Sequence, residues 1–191
     1  MAARTPLTSR PMDLVYFIFF VIHIPASLII DFQTLYPKFI LPEFVAAIPR
    51  LYFDTYADPL IGGAMGYLGD KPELAWFKSF LVLELIFQFP VFFISARGLW
   101  KDSKSVYILI LVYAASTNIT ILACLATLFA TPITTIGVHV PGAITSKQLF
   151  MLLQSYGPFY VLTLVMTVEM AFRCHKLVLK AAKVEDAAKT K

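Results

Sequence analysis

The sequence is poor in charge and in cysteine, and each shortage excludes a class of protein. Charged residues make up 15% of the 191 residues and hydrophobic residues 59%, whereas soluble domains carry about 25% charged residues. The only cysteines are Cys124 and Cys174, so the segment 32–74 has none. This excludes a disulfide framework or a cysteine zinc site in that segment. It also argues against tetraspan adhesion proteins, whose outer loops are usually disulfide-linked.

What the sequence has instead is long apolar runs. About 20 apolar residues span a bilayer core, and four runs reach that length. The first run ends in Asp31-Phe32-Gln33 without a small-x-small cleavage site, which favours a retained anchor over a signal peptide. We therefore predict an all-α membrane protein, a four-helix bundle in one domain, residues 14–172, with the flanks 1–13 and 173–191 outside it. The predicted spans are 14–31, 75–97, 105–130 and 149–172.

The distribution of basic residues predicts the topology. One side of the membrane would hold eleven of the sixteen lysines and arginines: Arg4, Arg10, Arg97, Lys101, Lys104, Arg173, Lys176, Lys180, Lys183, Lys189 and Lys191. The other side would hold Lys38, Arg50, Lys71, Lys78 and Lys147. The positive-inside rule then places both termini in the cytosol. The net charge of +4 reflects this asymmetry, and we expect no nucleic-acid partner.

The connection 32–74 is neither a linker nor one helix. Five prolines (37, 42, 49, 59 and 72) and four glycines (62, 63, 66 and 69) prevent a continuous helix. The segment is nevertheless rich in aromatic and aliphatic residues, which a solvated linker is not. We predict short helices that cap the bundle on the lumenal side or lie in the membrane interface. The Lys- and Ala-rich tail is predicted to extend the fourth helix.

Two acids lie inside the apolar runs. Asp31 closes the first run, and Glu84 lies about nine residues into the second, roughly 14 Å deep at 1.5 Å per residue. A charge at bilayer depth costs roughly 2.5 to 3.5 kcal/mol on insertion scales, so intramembrane acids usually mark function. Two acids sharing a dry space can hold a proton, attract an amine or donate a hydrogen bond to a hydroxyl. These residues predict a buried acidic pocket.

Polar residues recur at helical spacing on every span, which predicts one inward polar stripe per helix. For the third stripe, the alternative to a ligand site is packing between helices. For His23, the alternative to a ligand contact is a hydrogen-bonded position in the core. Glu169 is expected to pair with Arg173, and Asp13 to stabilise the start of the first helix. Kinks are predicted at Pro25 and Pro90, and a break at Gly157-Pro158. The stripes are His23, Ser27 and Asp31; Glu84 and Gln88; Tyr113, Thr117, Thr120, Cys124 and Thr127; Tyr156, Tyr160, Thr163 and Thr167.

Six short motifs occur in a fixed order along the sequence. They are His23-Ile24-Pro25, Asp31-Phe32-Gln33, Asp58-Pro59-Leu60, Ala75-Trp76-Phe77-Lys78-Ser79-Phe80, Glu84-Leu85-Ile86-Phe87-Gln88 and Tyr156-Gly157-Pro158. This set resembles the EXPERA-domain family, which includes sterol delta8-delta7 isomerases, and its receptor branch most closely. The resemblance implies a four-helix fold in the endoplasmic reticulum membrane, with endolysosomal and nuclear envelope membranes as further locations, and a homodimer. It also implies a cavity that opens towards the lipid and binds sterols and cationic amphiphilic ligands.

The resemblance also implies roles for individual residues. Asp31 would pair with a protonated amine, and Asp58 would reach from the cap to hydrogen-bond and position Asp31. The remaining ligand-binding residues implied are Glu84, Gln88, His23, Thr120 and Tyr156. Phe159 stands where the receptor branch carries a tyrosine. No catalytic residue, metal site or cofactor is implied for a receptor.

Three functions remain open at this point. The first is a binding protein for sterols and cationic amphiphiles that acts in sterol homeostasis or transport, with a sterol-transport protein as partner. The second is a sterol isomerase that uses the buried acids for proton transfer. The isomerase branch is expected to carry a histidine four residues before the acid on the second span and an acid on the third. Here Phe80 precedes Glu84, and the third span has no acid. The third function, a small proton-coupled transporter, lacks the expected inverted repeat.

Overall fold

The computed structural model of the protein describes residues 5–36, 41–135, 140 and 142–189. Arg4, Pro37, Lys38 and Lys191, which the sequence arguments use, lie outside these residues. Four helical stretches are long and apolar enough to cross a membrane, and each contains one of the predicted runs. The predicted class, an all-α membrane protein of four spanning helices, is confirmed. The stretches are Pro11–Thr34, Pro72–Trp100, Lys104–Ala130 and Ser146–Lys189.

The first span is helix α1, Pro11–Ile29, followed by a 3₁₀ turn, Asp31–Thr34. Proline is well suited to the first helical turn, where its missing N–H would have no partner. The helix stays regular through Pro25, so the predicted polar stripe remains on one face. Ser27 is fully buried on that face.

The second span contains a π turn. It comprises a 3₁₀ turn at Pro72–Leu74, then α5 (Ala75–Leu83), the π turn Glu84–Gln88, and α6 (Phe89–Trp100). The Phe89 N–H donates to the Glu84 carbonyl, five residues back. Pro90 has no N–H to continue a regular ladder, and the π turn accommodates this loss. Such turns are frequent at functional sites.

The third span is α7, Tyr107–Ala130, and the fourth is α8, Ser146–Lys189. The predicted break at Gly157-Pro158 is wrong, because α8 passes through both residues. Pro158 removes only one N–H donor from the helix. The other backbone hydrogen bonds persist, because lipid, unlike water, offers their donors and acceptors no alternative partner. The predicted extension of this helix into the tail is present as far as Lys189.

Between the first two spans, three short helices form the predicted cap. They are α2 (Glu43–Ala46), α3 (Ile48–Tyr56) and α4 (Pro59–Ala64). Ala57 links α3 to α4 with φ 49°, in the left-handed region. Gly62 permits the two helices to pack closely, since a Cβ there would lie 2.2 Å from the Phe53 ring. Next to the cap, a parallel pair of two-residue strands, β1 (Ile133–Thr134) and β2 (Ile144–Thr145), joins α7 to α8.

The described residues form three buried apolar clusters, and two of them flank the candidate site. The cluster away from the cap packs α1 against α6, α7 and α8 through residues such as Tyr16, Phe20 and Phe92. The cluster beneath the cap packs Leu60 and Ile61 of α4 onto α5. The candidate site lies between these two clusters, at the level of the π turn.

An ionic network closes the end of the bundle opposite the cap. Asp13, which is 2% exposed, forms ion pairs with Arg10 and Arg173. Arg173 Nε also donates to Glu169 at 3.0 Å, so the predicted pair between these residues is present. The Arg10 guanidinium donates to the Leu99 carbonyl at 2.7 Å. Asp13 therefore connects the first span to the fourth, in addition to its place at the start of α1.

Candidate functional site

An inner chamber of about 140 Å³ lies among the four spans beneath the cap. Asp31 and Glu84 both line it, although 53 residues separate them in sequence, so the predicted acids meet in one space. Six of the seven predicted site residues line this chamber, and Asp58 lies behind its wall. The lining residues are His23, Asp31, Ile61, Phe77, Phe80, Leu81, Glu84, Gln88, Phe92, Tyr113, Thr117, Thr120, Ile121, Cys124, Tyr156 and Phe159.

An outer chamber of about 420 Å³ continues from the inner one. It lies between α1 and α8 under Tyr52 of the cap, and its walls are mostly apolar. Ser155 and Pro158 on its rim are exposed on the outer surface of α8. Because that surface belongs to a spanning helix, the outer chamber opens sideways, towards lipid. The two chambers share His23, Asp31, Ile61, Ile121, Tyr156 and Phe159.

The Asp31 carboxylate faces both chambers, and none of the described residues holds it. Its backbone oxygen accepts from the Thr34 hydroxyl at 3.0 Å, which fixes the 3₁₀ turn. Within the described residues, no donor reaches its side-chain oxygens, and no lysine or arginine lines either chamber. The nearby ionisable groups include two more acids, Glu84 and Asp58. An acidic space without a counter-charge attracts a cation or a proton.

Glu84 is held in place by a serine of another helix. The Ser27 hydroxyl donates to Glu84 Oε1 at 2.5 Å. The π turn that begins at Glu84 brings both this residue and Gln88 onto the chamber wall. Ser27 belongs to the predicted stripe on α1, but its role as the partner of Glu84 could not be read from sequence spacing within one helix.

Asp58 organises the cap rather than contacting Asp31. As the N-cap of α4, its Oδ1 accepts from the N–H groups of Leu60 and Ile61 at 2.9 and 3.2 Å. Its Oδ2 accepts from the Tyr52 and Tyr156 hydroxyls, both at 2.8 Å. The predicted hydrogen bond to Asp31 is not among those formed by the described residues, because other donors occupy both Asp58 oxygens. Any effect of Asp58 on Asp31 is therefore indirect.

Burial and hydrogen bonding oppose each other at Asp58, which is fully buried. Burial raises the pKa of its carboxyl, whereas the four hydrogen bonds lower it and the first effect is larger. The pKa of the Tyr52 phenol is also raised, by burial and by the Asp58 carboxylate. Tyr52 therefore stays a protonated donor to Asp58. This residue was not identified from the sequence, because nothing in its local spacing points to the partner.

His23 is both packed and exposed to the chambers. Its ring stacks on Phe159 with centroids 4.6 Å apart and lies 4.3 Å from the Phe19 ring. Its Nδ1 donates to the Phe19 carbonyl at 3.3 Å, since a carbonyl can only accept. The neutral ring then keeps Nε2 as an acceptor. The two interpretations of His23, core residue and ligand contact, are compatible in this geometry.

Thr120 and Tyr156 contribute differently to the wall. Thr120 lines the chamber, while its hydroxyl donates to the Thr117 carbonyl at 2.9 Å on its own helix. Tyr156 lines both chambers, while its hydroxyl binds Asp58 on the cap side. Within the described residues, no three His, Cys, Asp or Glu side chains come together as metal ligands.

The fold and the site together define a class, a multi-pass membrane protein of four helices with an acid-bearing chamber between them. The family described as EXPERA (EXPanded EBP superfamily) matches residues 44–170. The chain belongs to the EXPERA family.

Its curated relatives have more than one name. It is 29% identical to Sigma intracellular receptor 2 of Macaca fascicularis, over 86% of this chain and 90% of the relative. Its identity to the Homo sapiens protein of that name is 32%, over 64% of this chain and 65% of the relative. It is also 25% identical to Efficient mitochondria targeting-associated protein 19 of Schizosaccharomyces pombe, over 90% and 84% of the two chains. The predicted resemblance to the receptor branch is confirmed, and a receptor or binding role is supported.

Proposed function

We propose that this protein binds sterols and cationic amphiphilic ligands within the membrane and acts in sterol homeostasis or transport. The observation that carries the proposal is the shared chamber of Asp31 and Glu84, which opens into an apolar space towards lipid. A ligand with a large apolar part and one polar group matches this combination of two acids and an apolar chamber. The relatives named Sigma intracellular receptor 2 support a receptor role.

Asp31 would bind the protonated amine of a cationic ligand. Its carboxylate faces both chambers, and no donor from the described part of the chain competes for it. A charge-assisted hydrogen bond in a space without water is stronger than one between neutral groups. Phe159 and His23, stacked beside it, offer ring faces to the apolar part of the ligand.

The size and position of the outer chamber suit a ligand that arrives from the bilayer. Its volume of about 420 Å³ falls in the range of about 300–1,000 Å³ for small-molecule sites. Its opening between α1 and α8 lies within the spans, so a membrane-dissolved ligand would not need to pass through water. The polar group would then enter the inner chamber, and the body would stay in the outer one.

The cellular setting belongs to the same proposal. The basic residues of the tail and of the connection between the second and third spans support cytosolic termini. The endoplasmic reticulum is the proposed membrane, with a homodimer as the proposed assembly and a sterol-transport protein as partner. These parts rest on the family resemblance and on charge distribution.

The test compares two ligand classes on one substitution. In purified protein, Asp31→Asn should abolish binding of a radiolabelled cationic amphiphile while reducing binding of cholesterol much less. Asp70→Asn, in an exposed connection away from the chambers, is the matched control and should bind both ligands normally. Equal loss of both ligands by a folded Asp31→Asn protein would assign Asp31 a structural role. Mass spectrometry of the lipid that co-purifies with the protein identifies the native ligand class.

An isomerase is the second candidate, and one observation favours it. Glu84 is fixed by Ser27 inside the chamber and has no basic partner, so its carboxyl could transfer a proton to a sterol double bond. Phe80, however, lines the chamber where the isomerase branch is expected to place histidine. Membranes containing the protein should therefore leave a delta8 sterol unchanged. Turnover that depends on Glu84 would replace the binding-only function with catalysis.

A further inference from the structure

Two hydroxyl groups on α7 face the inner chamber, and among the described residues only the two themselves can pair with each other. Tyr113 is fully buried and Thr117 is 2% exposed. Both line the chamber, and at i, i+4 spacing they share one face of the helix. Within the described residues, neither hydroxyl has a hydrogen-bond partner outside this pair. The sequence placed both in the third polar stripe, for which helix packing was the alternative to a ligand site.

The other hydroxyls of α7 behave differently. Ser116, Thr120 and Thr127 each donate to a backbone carbonyl three or four residues earlier, at 2.8, 2.9 and 3.0 Å. That arrangement is the usual one for serine and threonine in membrane helices. Thr117 has no such bond, and a tyrosine cannot reach back in the same way. Within this helix, the pair is therefore distinguished by both its position and its unused hydrogen-bonding capacity.

The pair lies at the end of the inner chamber away from the cap. The Tyr113 ring packs against Phe20 and Phe92, with centroids 5.3 and 5.5 Å apart. Phe20 precedes Asp31 by eleven residues, roughly 16 Å along the first span at 1.5 Å per residue. The hydroxyl pair therefore lies deeper in the bundle than Asp31, and the acid that interacts with it is Glu84.

A buried hydroxyl without a partner is unfavourable, because it has given up its hydrogen bonds to water and gained none in return. A ligand alcohol can relieve this cost, because it both donates and accepts. A bond between Tyr113 and Thr117 themselves would still leave one O–H donor for a guest. A cation, by contrast, is better served by Asp31, which carries formal charge.

We propose that Tyr113 and Thr117 form a second polar subsite that binds the hydroxyl group of a neutral membrane lipid such as a sterol. This inference deepens the proposed function and depends on it. The subsite makes the chamber selective between two ligand classes. Amines bind at Asp31, and alcohols bind at the deep hydroxyl pair.

The experiment measures a hydroxyl preference. The probes are cholesterol and 5-cholestene, which has the same skeleton without the hydroxyl group, each in competition with a fluorescent sterol. The wild-type protein should bind cholesterol about tenfold more tightly, the equivalent of one hydrogen bond. In the double variant Tyr113→Phe/Thr117→Val, this ratio should fall to about one. Binding of the cationic amphiphile should change less than twofold.

The controls separate a subsite from a structural role. Ser95→Ala removes another buried hydroxyl that has no hydrogen bond among the described residues, one that lines neither chamber, and it should keep the full preference. The double variant should be as thermally stable as the wild type or more so, because it removes unsatisfied polar atoms. A cholesterol preference that persists in the folded double variant overturns the subsite. A wild-type protein that binds neither sterol contradicts the proposed function itself.

Discussion

The hydroxyl of Tyr156 donates to Asp58 Oδ2 at 2.8 Å and connects residues 98 positions apart. Tyr52 donates to the same oxygen from α3. One carboxylate thus fastens the cap to the fourth span directly beside the outer chamber, which both tyrosines line. Asp58 is for this reason a positioning residue for the chamber wall.

This connection predicts a coupling between the two residues. Asp58→Asn keeps a good N-cap for α4 but replaces charge-assisted hydrogen bonds with weaker ones. Asp58→Asn and Tyr156→Phe should each lower the affinity for a cationic amphiphile by roughly tenfold, or about 1.4 kcal/mol. Their double variant should lose less than the sum, measured as a double-mutant cycle. Tyr160→Phe, on the same helix but lining neither chamber, serves as the control. Fully additive losses would show that the two residues act separately.

The sideways opening predicts that bulk on its rim slows ligand entry. Leu162 lines the outer chamber, whereas its neighbour Val161 is 56% exposed on the outside of the same helix. Leu162→Trp should lower the association rate of a membrane-dissolved sterol by about fivefold or more, because the larger side chain would narrow the apolar opening of the outer chamber. Val161→Trp should leave that rate unchanged in stopped-flow binding to protein in nanodiscs. Equal rates for the two variants would place the entrance elsewhere.

Two buried serines predict opposite responses to truncation. Ser27→Ala removes the donor to Glu84 and leaves the carboxyl without its partner, which should cost about 1–3 kcal/mol of stability. Ser95 is equally buried, but its hydroxyl makes no hydrogen bond. Ser95→Ala should therefore be neutral or stabilising. Thermal unfolding in one detergent compares both variants, and similar losses would mean that the Ser27 contact is unimportant.

The ionic network opposite the cap predicts a stability effect without a ligand effect. Asp13→Ala leaves Arg10 and Arg173 without their shared acid. Breaking a largely buried pair costs roughly 3–5 kcal/mol, so the midpoint of thermal unfolding should fall clearly. Asp54→Ala breaks an exposed pair with Arg50 and should cost roughly 0–1 kcal/mol. Ligand affinity of folded Asp13→Ala protein should stay normal, because Asp13 lines neither chamber.

Run length was sufficient to predict the spans, because bilayer thickness sets the length of a spanning helix. The spacing along the first span was sufficient to predict that His23 and Asp31 face one space, and both line the two chambers. Spacing within one helix does not predict contacts between helices. Two features of the site depend on such contacts, namely the hydrogen bond from Ser27 to Glu84 and the role of Tyr52. The predicted break at Pro158 was wrong because lipid offers the remaining backbone groups of the helix no alternative hydrogen-bond partner.

The π turn at Glu84–Gln88 changes which residues of the second span lie on the same face. The extra residue in that turn shifts the helical register by roughly one position. A single helical wheel drawn from Phe77 to Phe92 would consequently misplace the residues after the turn by about 100°, the rotation of one residue at 3.6 residues per turn. Scanning mutagenesis here should be interpreted with two wheels, one ending and one starting at the turn.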